Sequence, residues 1–346
     1  MCNLFGKQAV GVDIADRSIE VAEIKGRGAI LKVVSLGRVE LESGIVENGR
    51  LKDTDRLGAT LLTLFKNAKP KSIRAKRIVF ALPESQVFLD NFVLHKDKER
   101  KLPEQIKEEL LHNIPLEAGE LSYSYRILKE EKNSVEVLAA AASKTVIQEW
   151  LEFFRKNKLE VEILDVEILA SFRDLCRNLP KDPVVVLDLG AHTSYLAVFD
   201  YQGLHHEYTI HIAGEDFNAA IVQATGWKEE KAEEEKVKAG LKSKNKKVVE
   251  ALRERLALII EAIKQTLTLY HQQGGLQVSK LFLVGGSSQL IGLSEYFAKE
   301  LTLEVQLGEA KSVDRQVPLE FIEAIGLARR ILEKTWEHTD PSLPIN

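Results

Sequence analysis

Two aspartates set in matching strings could hold a phosphate and its metal ion. Residues 12–24, VDIADRSIEVAEI, align with residues 187–199, LDLGAHTSYLAVF, which pairs Asp13 with Asp188 about half the chain away. Each string reads as an apolar strand ending in Asp, a turn of small or polar residues, and a second strand. Turn amides can wrap phosphate oxygens, and each Asp can hold Mg²⁺ directly or through water. Asp-turn hairpins are common singly, so the pair carries the inference. A third string, 281–293 LFLVGGSSQLIGL, runs an apolar strand into Gly285 and Gly286. A glycine pair there lets a flat base or sugar approach the backbone closely. Alone it is a generic strand-to-helix turn; in the order hairpin, hairpin, Gly-Gly strand, final helix it becomes specific.

The elements that must position these turns alternate between strand and helix, which predicts an α/β architecture. Strands are expected at 10–14, 19–24, 31–41 and 75–82, with a helix at 57–67 between the last two. A compact module follows: a strand at 87–94, a helix at 103–113 with Pro103 in its first turn, and strands at 122–128 and 135–142. A helix at 144–158 closes it, with Val146, Ile147, Trp150, Leu151 and Phe154 on the face read as the module's core. The run 184–189 lacks alternation and is expected to be buried on both faces. The mixed charges of 228–247 read as a solvated surface. Beyond them, Val249, Leu252, Leu256, Ile259, Ile260, Ile263, Leu267 and Tyr270 form one apolar helical face, stopped by Gly274 and Gly275.

With 346 residues the chain is long enough for two or three folding units. Its 45% hydrophobic and 29% charged residues exclude a disordered, collagenous or small disulfide-stapled chain. A net charge of −4 argues against general attraction to nucleic acid or anionic lipid. Cys2 and Cys176 offer neither a disulfide framework nor a zinc site, and suit a reducing compartment. No run approaches the roughly 18–20 apolar residues of a membrane span, and residues 1–7 lack a signal-peptide pattern. The expectation is a soluble cytoplasmic protein that reaches a membrane only through partners.

The ordered motifs resemble the actin-like ATPase superfamily, with phosphate-1 at Asp13, phosphate-2 at Asp188, an adenosine motif at 284–293 and a closing helix within 316–332. Within it the chain most resembles the type IV pilus assembly PilM family, relatives of the division protein FtsA. The likeness rests on Leu4-Phe-Gly-Lys7, the inserted module, Asn113-Ile-Pro-Leu116, residues 137–143 and 164–170, and spans about residues 1–334. It implies two lobes around a nucleotide cleft. The first lobe is expected at 1–82, with an inserted α+β subdomain at 83–161 and a return at 162–182. The second lobe is expected at 183–319, the closing helix of the first at 320–334, and a mobile tail at 335–346.

The resemblance further implies bound ATP with Mg²⁺ flanked by Asp13 and Asp188. Ala15, Asp16, Arg17 and Ser18, and Gly190, Ala191, His192 and Thr193, would line the phosphates. Gly214 would lie near the phosphates or ribose, Glu233 and Lys236 near ribose and base, and Gly285, Gly286 and Ser287 behind the adenosine. Asp165 is a candidate for positioning the attacking water. The family's partner is the short cytoplasmic N-terminal peptide of a PilN-like inner-membrane protein, held by a groove at the inserted subdomain. Other pilus-machine components and a homo-oligomeric ring complete the implied assembly, and the job is that of an adaptor.

The first turn departs from the family string Asp-Ile-Gly-Ser-Ser-Ser-Ile-Lys. Ala15 replaces a glycine, Asp16 and Arg17 replace hydroxyl residues, and Glu20 replaces a lysine. A Cβ narrows phosphate approach, and Asp16 adds negative charge beside an anion, so weakened ATP binding and slow hydrolysis are expected. Other residues read as ordinary: His205 and His206 alternate along a strand and are expected on opposite faces, and Ser194 lacks a nucleophile-elbow context. Two other functions stay open on the same fold. A sugar or acetate kinase needs a sugar-binding constellation and a base Asp, and neither is evident. An FtsA-like filament-forming division protein needs a C-terminal amphipathic membrane helix, whereas this chain ends in EHTDPSLPIN. A GspL-type secretion protein would continue into a membrane span.

Overall fold

A computed structural model describes residues 7–26, 30–97, 100–176 and 180–332. The string at 4–7 lies almost wholly outside that range, as does the tail at 335–346. The chain divides into two compact units, Met1–Asn178 with Glu309–Asn346, and Leu179–Gly308.

In the first unit, β1 (Lys7–Ile14), β2 (Ser18–Gly26) and β3 (Lys32–Glu40) form an antiparallel meander. A two-residue turn, Asn48 and Gly49, joins β4 (Val46–Glu47) to β5 (Arg50–Leu51). Both turn residues have positive φ, 49° and 69°, as a tight hairpin with the twist of its strands requires. Helix α1 (Thr54–Asn67) starts at Asp53, whose side chain accepts the Arg56 N–H, and buries Leu57, Leu61, Leu64 and Phe65. Then β6 (Arg77–Leu82) pairs parallel with β1.

The inserted sheet follows: β7 (Val87–His95), α2 (Leu102–Asn113), β8 (Leu121–Glu130) and β9 (Ser134–Ser143), in the order β7-β9-β8. It has its own core of Ile106, Leu110, Leu121, Val135, Val137, Ala139 and Ala141. Helix α3 (Lys144–Lys156) differs from expectation. Trp150 and Phe154 each lie 4.8 Å, centroid to centroid, from Phe80 of β6. They therefore belong to the core of the main sheet. Leu151 is exposed, and Phe153 takes its place on the buried face. Periodicity located the helix but could not say which layer it would cover. β10 (Glu160–Val166) then joins β6 in parallel, giving the order β10-β6-β1-β2-β3, and α4 (Glu167–Leu175) follows.

The second unit repeats that plan. β11 (Val184–Leu189), β12 (Ser194–Asp200) and β13 (Gly203–Ile210) form an antiparallel meander. After α5 (Gly214–Thr225), α6 (Glu229–Lys238) and α7 (Lys246–Gln272), β14 (Lys280–Val284) pairs parallel with β11. α8 (Leu293–Leu301) and β15 (Glu304–Leu307) complete the order β13-β12-β11-β14-β15. The two five-stranded sheets thus share one topology, the structural counterpart of the duplicated strings. A bulge between Val198 and Phe199 leaves His205 as the extra residue of β13. As a result both His205 and His206 approach the Tyr270 ring, at 5.6 and 6.2 Å, instead of alternating faces.

α9 (Ile322–Leu332) returns to the first unit and packs on β1 and α4. Residues 309–319, expected in the second lobe, also belong to the first unit. Leu31 donates its N–H to the Ser312 carbonyl, and Val33 donates to the Asp314 carboxylate at 3.0 Å. These bonds at the edge strand move the boundary to 308/309. Among the described residues no helix is long and apolar enough to cross a membrane.

Candidate functional site

The β1–β2 turn presents Asp13, Ala15, Asp16, Arg17 and Ser18 in the first unit. Ala15 is exposed, and its N–H donates to the Ser18 carbonyl at 3.0 Å, so this amide closes the turn. The Asp16 carboxylate accepts the N–H groups of Asn48 at 2.7 Å and Gly49 at 3.0 Å. Its charge is therefore held by a neighbouring hairpin. Arg17 donates to the Ser43 hydroxyl, and its carbonyl accepts the Leu41 N–H.

Glu20, at the family's lysine position, is buried on β2 and accepts from Arg38 Nε at 2.7 Å, with Ser18 donating to its other oxygen. Burial pushes its carboxyl up to about 7 despite the pull of Arg38. A carboxyl whose folded pKa lies above its unfolded value contributes stability below about 4.5 that is lost as pH rises through 7. Glu20→Gln is expected to remove that loss, so the difference between native and variant melting temperatures should slope between those two pH values. A flat difference would contradict the assignment.

Asp13 lies with Glu167 and Glu323, one oxygen of each within 4.8 Å of the others. Sequence reasoning missed both glutamates; the only local signal was that each stands in the first turn of a helix, α4 and α9. The all-oxygen set suits a hard dication such as Mg²⁺. Glu167 also accepts the Glu84 N–H at 3.0 Å, while the Glu84 carboxylate accepts the Ile168 N–H at 2.8 Å. Asp165 is fully buried. One of its oxygens accepts the Val166 N–H, and the other lies 2.9 Å from the Arg173 guanidinium. That placement in the core argues against the expected water-positioning role.

In the second unit the β11–β12 turn meets the Gly-Gly strand end and the start of α5. The Gly190 carbonyl accepts the Gly214 N–H at 3.1 Å and the Ser287 hydroxyl at 2.9 Å, while Ala191 accepts the Glu215 N–H. The Gly190 N–H closes its own turn on the Thr193 carbonyl. Lys236 of α6 donates to the Gly214 carbonyl at 3.0 Å and pairs with Glu233 at 2.7 Å. Thus Gly190, Gly214, Ser287, Glu233 and Lys236, scattered in sequence, form one connected arrangement. His192 lies 3.0 Å from Glu215 and, with His211, Asp216, Ala219, Val222 and Glu229, lines a cavity of about 600 Å³. Gly286 leads out of the strand end with open space around it.

Burial pushes the Asp188 carboxyl up to about 6. Stability present below its unfolded value of 3.8 is lost as pH rises through 6, so the ionised group costs the fold free energy at neutral pH. Asp188→Asn is expected to raise stability at pH 8 by on the order of 1–3 kcal/mol and to leave it unchanged at pH 4. Denaturant unfolding at the two pH values checks this; equal effects at both would refute it. A partly buried carboxylate that costs stability beside a turn is what a binding site retains.

A family model described as type IV pilus assembly protein PilM matches residues 11–315. Among solved structures, a PilM-PilN type IV pilus biogenesis complex is similar with TM-score 0.81 and 23% identity, covering 94% of this chain and 98% of that one. The ethanolamine utilization protein EutJ from Carboxydothermus hydrogenoformans follows at TM-score 0.59 and 16% identity, covering 93% and 89%. MreB 5 of Spiroplasma citri bound to AMPPNP gives 0.57 and 12%, covering 95% and 96%. No match is found among curated protein sequences. The fold is that of the actin-like ATPases.

Proposed function

Because the chain belongs to the type IV pilus assembly protein PilM family, we propose that it serves as an actin-like adaptor in a type IV pilus, DNA-uptake or related secretion machine. In this reading it works in the cytoplasm and is brought to the inner membrane by the cytoplasmic N-terminal peptide of a PilN-like protein. The observation that carries the reading is the near full-length likeness to a PilM that is itself in complex with PilN. The inserted sheet β7-β9-β8, with a core of its own, supplies a surface beyond the duplicated plan.

ATP binding in this reading is weak and turnover slow. Mg²⁺ would be held by Asp13 with Glu167 and Glu323, and would offset the charge of the phosphates. The Ala15 and Gly190 amides are engaged within their own turns, which leaves fewer donors for a phosphate. Asp165, paired with Arg173, is not placed to orient water. Size-exclusion chromatography of the chain with the partner's N-terminal peptide fused to a carrier tests the proposal. Co-elution is expected; separate elution of the two at micromolar concentration would overturn it.

A further inference from the structure

The segment Glu84–Gln86, where the chain leaves β6 for the inserted sheet, is gripped from two sides. On one side stands the Asn48–Gly49 turn. Gln86 donates to the Asn48 carbonyl at 2.7 Å, and a Cβ on Gly49 would collide with Pro83 and Ser85. The same turn accepts from Trp150 Nε1 at 3.2 Å through the Gly49 carbonyl, and Arg50 pairs with Glu149 at 3.0 Å. Helix α3, which carries both Trp150 and Glu149, is where the chain leaves the inserted sheet again. On the other side, the Glu167 carboxylate accepts the Glu84 N–H and the Glu84 carboxylate accepts the Ile168 N–H, and Glu167 belongs to the carboxylate cluster with Asp13.

Both N–H groups at the tip of the Asn48–Gly49 turn point at one carboxylate, that of Asp16. We propose that Asp16 is a positioning residue that ties the β1–β2 turn to the entry and exit of the inserted sheet, so that a phosphate-bearing ligand at the turn alters the rigidity of β7 and α3. A hydroxyl residue at this position could not accept both amides with a charged group. The departure from the family string thereby acquires a role: the extra negative charge serves the hairpin. The coupling to a ligand rests on the nucleotide reading above; the tie itself does not.

Amide hydrogen exchange on the full chain tests both parts. Without ligand, Asp16→Ala is expected to raise exchange in 48–50, 84–95 and α3 by roughly tenfold or more while β11 to β13 keep their rates. Asp16→Asn, which retains one acceptor, should restore part of the protection. Unchanged exchange in 84–95 would overturn the tie. In the second arm, saturating Mg·ATP should change exchange in β7 of the native chain, and Gln86→Ala, which cuts the hairpin's bond to the entry segment, should reduce that change while calorimetry still detects binding. Binding to the native chain without any change in β7 would overturn the coupling. If the native chain binds no nucleotide, the nucleotide reading fails, and the ligand-free arm still decides whether Asp16 holds the hinge.

Discussion

Replacing Gly326 by alanine is expected to destabilise the first unit by about 3–5 kcal/mol. Gly326 lets α9 approach α4 so closely that a Cβ would fall on the Ala170 carbonyl, a backbone atom with no room to retreat. On the adjoining side, Gly11 of β1 admits the Ala324 carbonyl in the same way. Forcing α9 outward would also pull the Gly326 carbonyl from Arg173, which donates to it at 2.9 Å while paired with the fully buried Asp165. A buried ion pair that loses its supporting bonds is costly. The drop in melting temperature should be about 10 °C, and hydrogen exchange should show the loss in β1, β6 and α9 with β11 to β14 unaffected. A change below about 1 kcal/mol would show that the helices can separate without penalty.

Gly285→Ala should be the most damaging single change at the candidate site. Gly285 has φ of 80°, which an L side chain rarely adopts, and its Cβ would meet the Asp188 carboxylate and the Leu189 carbonyl. The end of β14 must shift to relieve the collision, and Ser287 moves off the Gly190 carbonyl with it. The expected outcome is about 2–4 kcal/mol of lost stability and nucleotide binding weakened roughly tenfold or more. Gly286→Ala is the internal control, since nothing lies within 4 Å of its Cβ and its φ is unexceptional. It should stay within about 0.5 kcal/mol of native. Equal effects from the two substitutions would refute the geometric argument.

The duplicated turns were legible because each is local: an apolar run, an Asp, a few small residues and a second run. The shared sheet order of the two units follows from that repeat, with β11 buried on both faces as its lack of alternation predicts. Contacts between distant segments were not legible. Nothing near Asp16 announces that its partners are the amides of Asn48 and Gly49, and nothing near Asp13 points to Glu167 or Glu323. Glu20 illustrates a different limit. Nothing local announces its burial, and its Arg38 partner comes from cross-strand register. Likewise, a single extra residue in β13 turned His205 and His206 toward one ring, because a bulge cancels the two-residue alternation.

A partner-binding adaptor with a weak nucleotide site and little turnover has a distinct calorimetric signature. A titration of the full chain with the PilN-like N-terminal peptide, followed by Mg·ATP in the same cell, reads both properties. Saturable heat from the peptide is expected, then small saturable heat or none from Mg·ATP, with the baseline restored after each injection. No heat from the peptide, together with heat that continues after Mg·ATP saturates, would contradict it and identify the chain as a working phosphohydrolase or kinase.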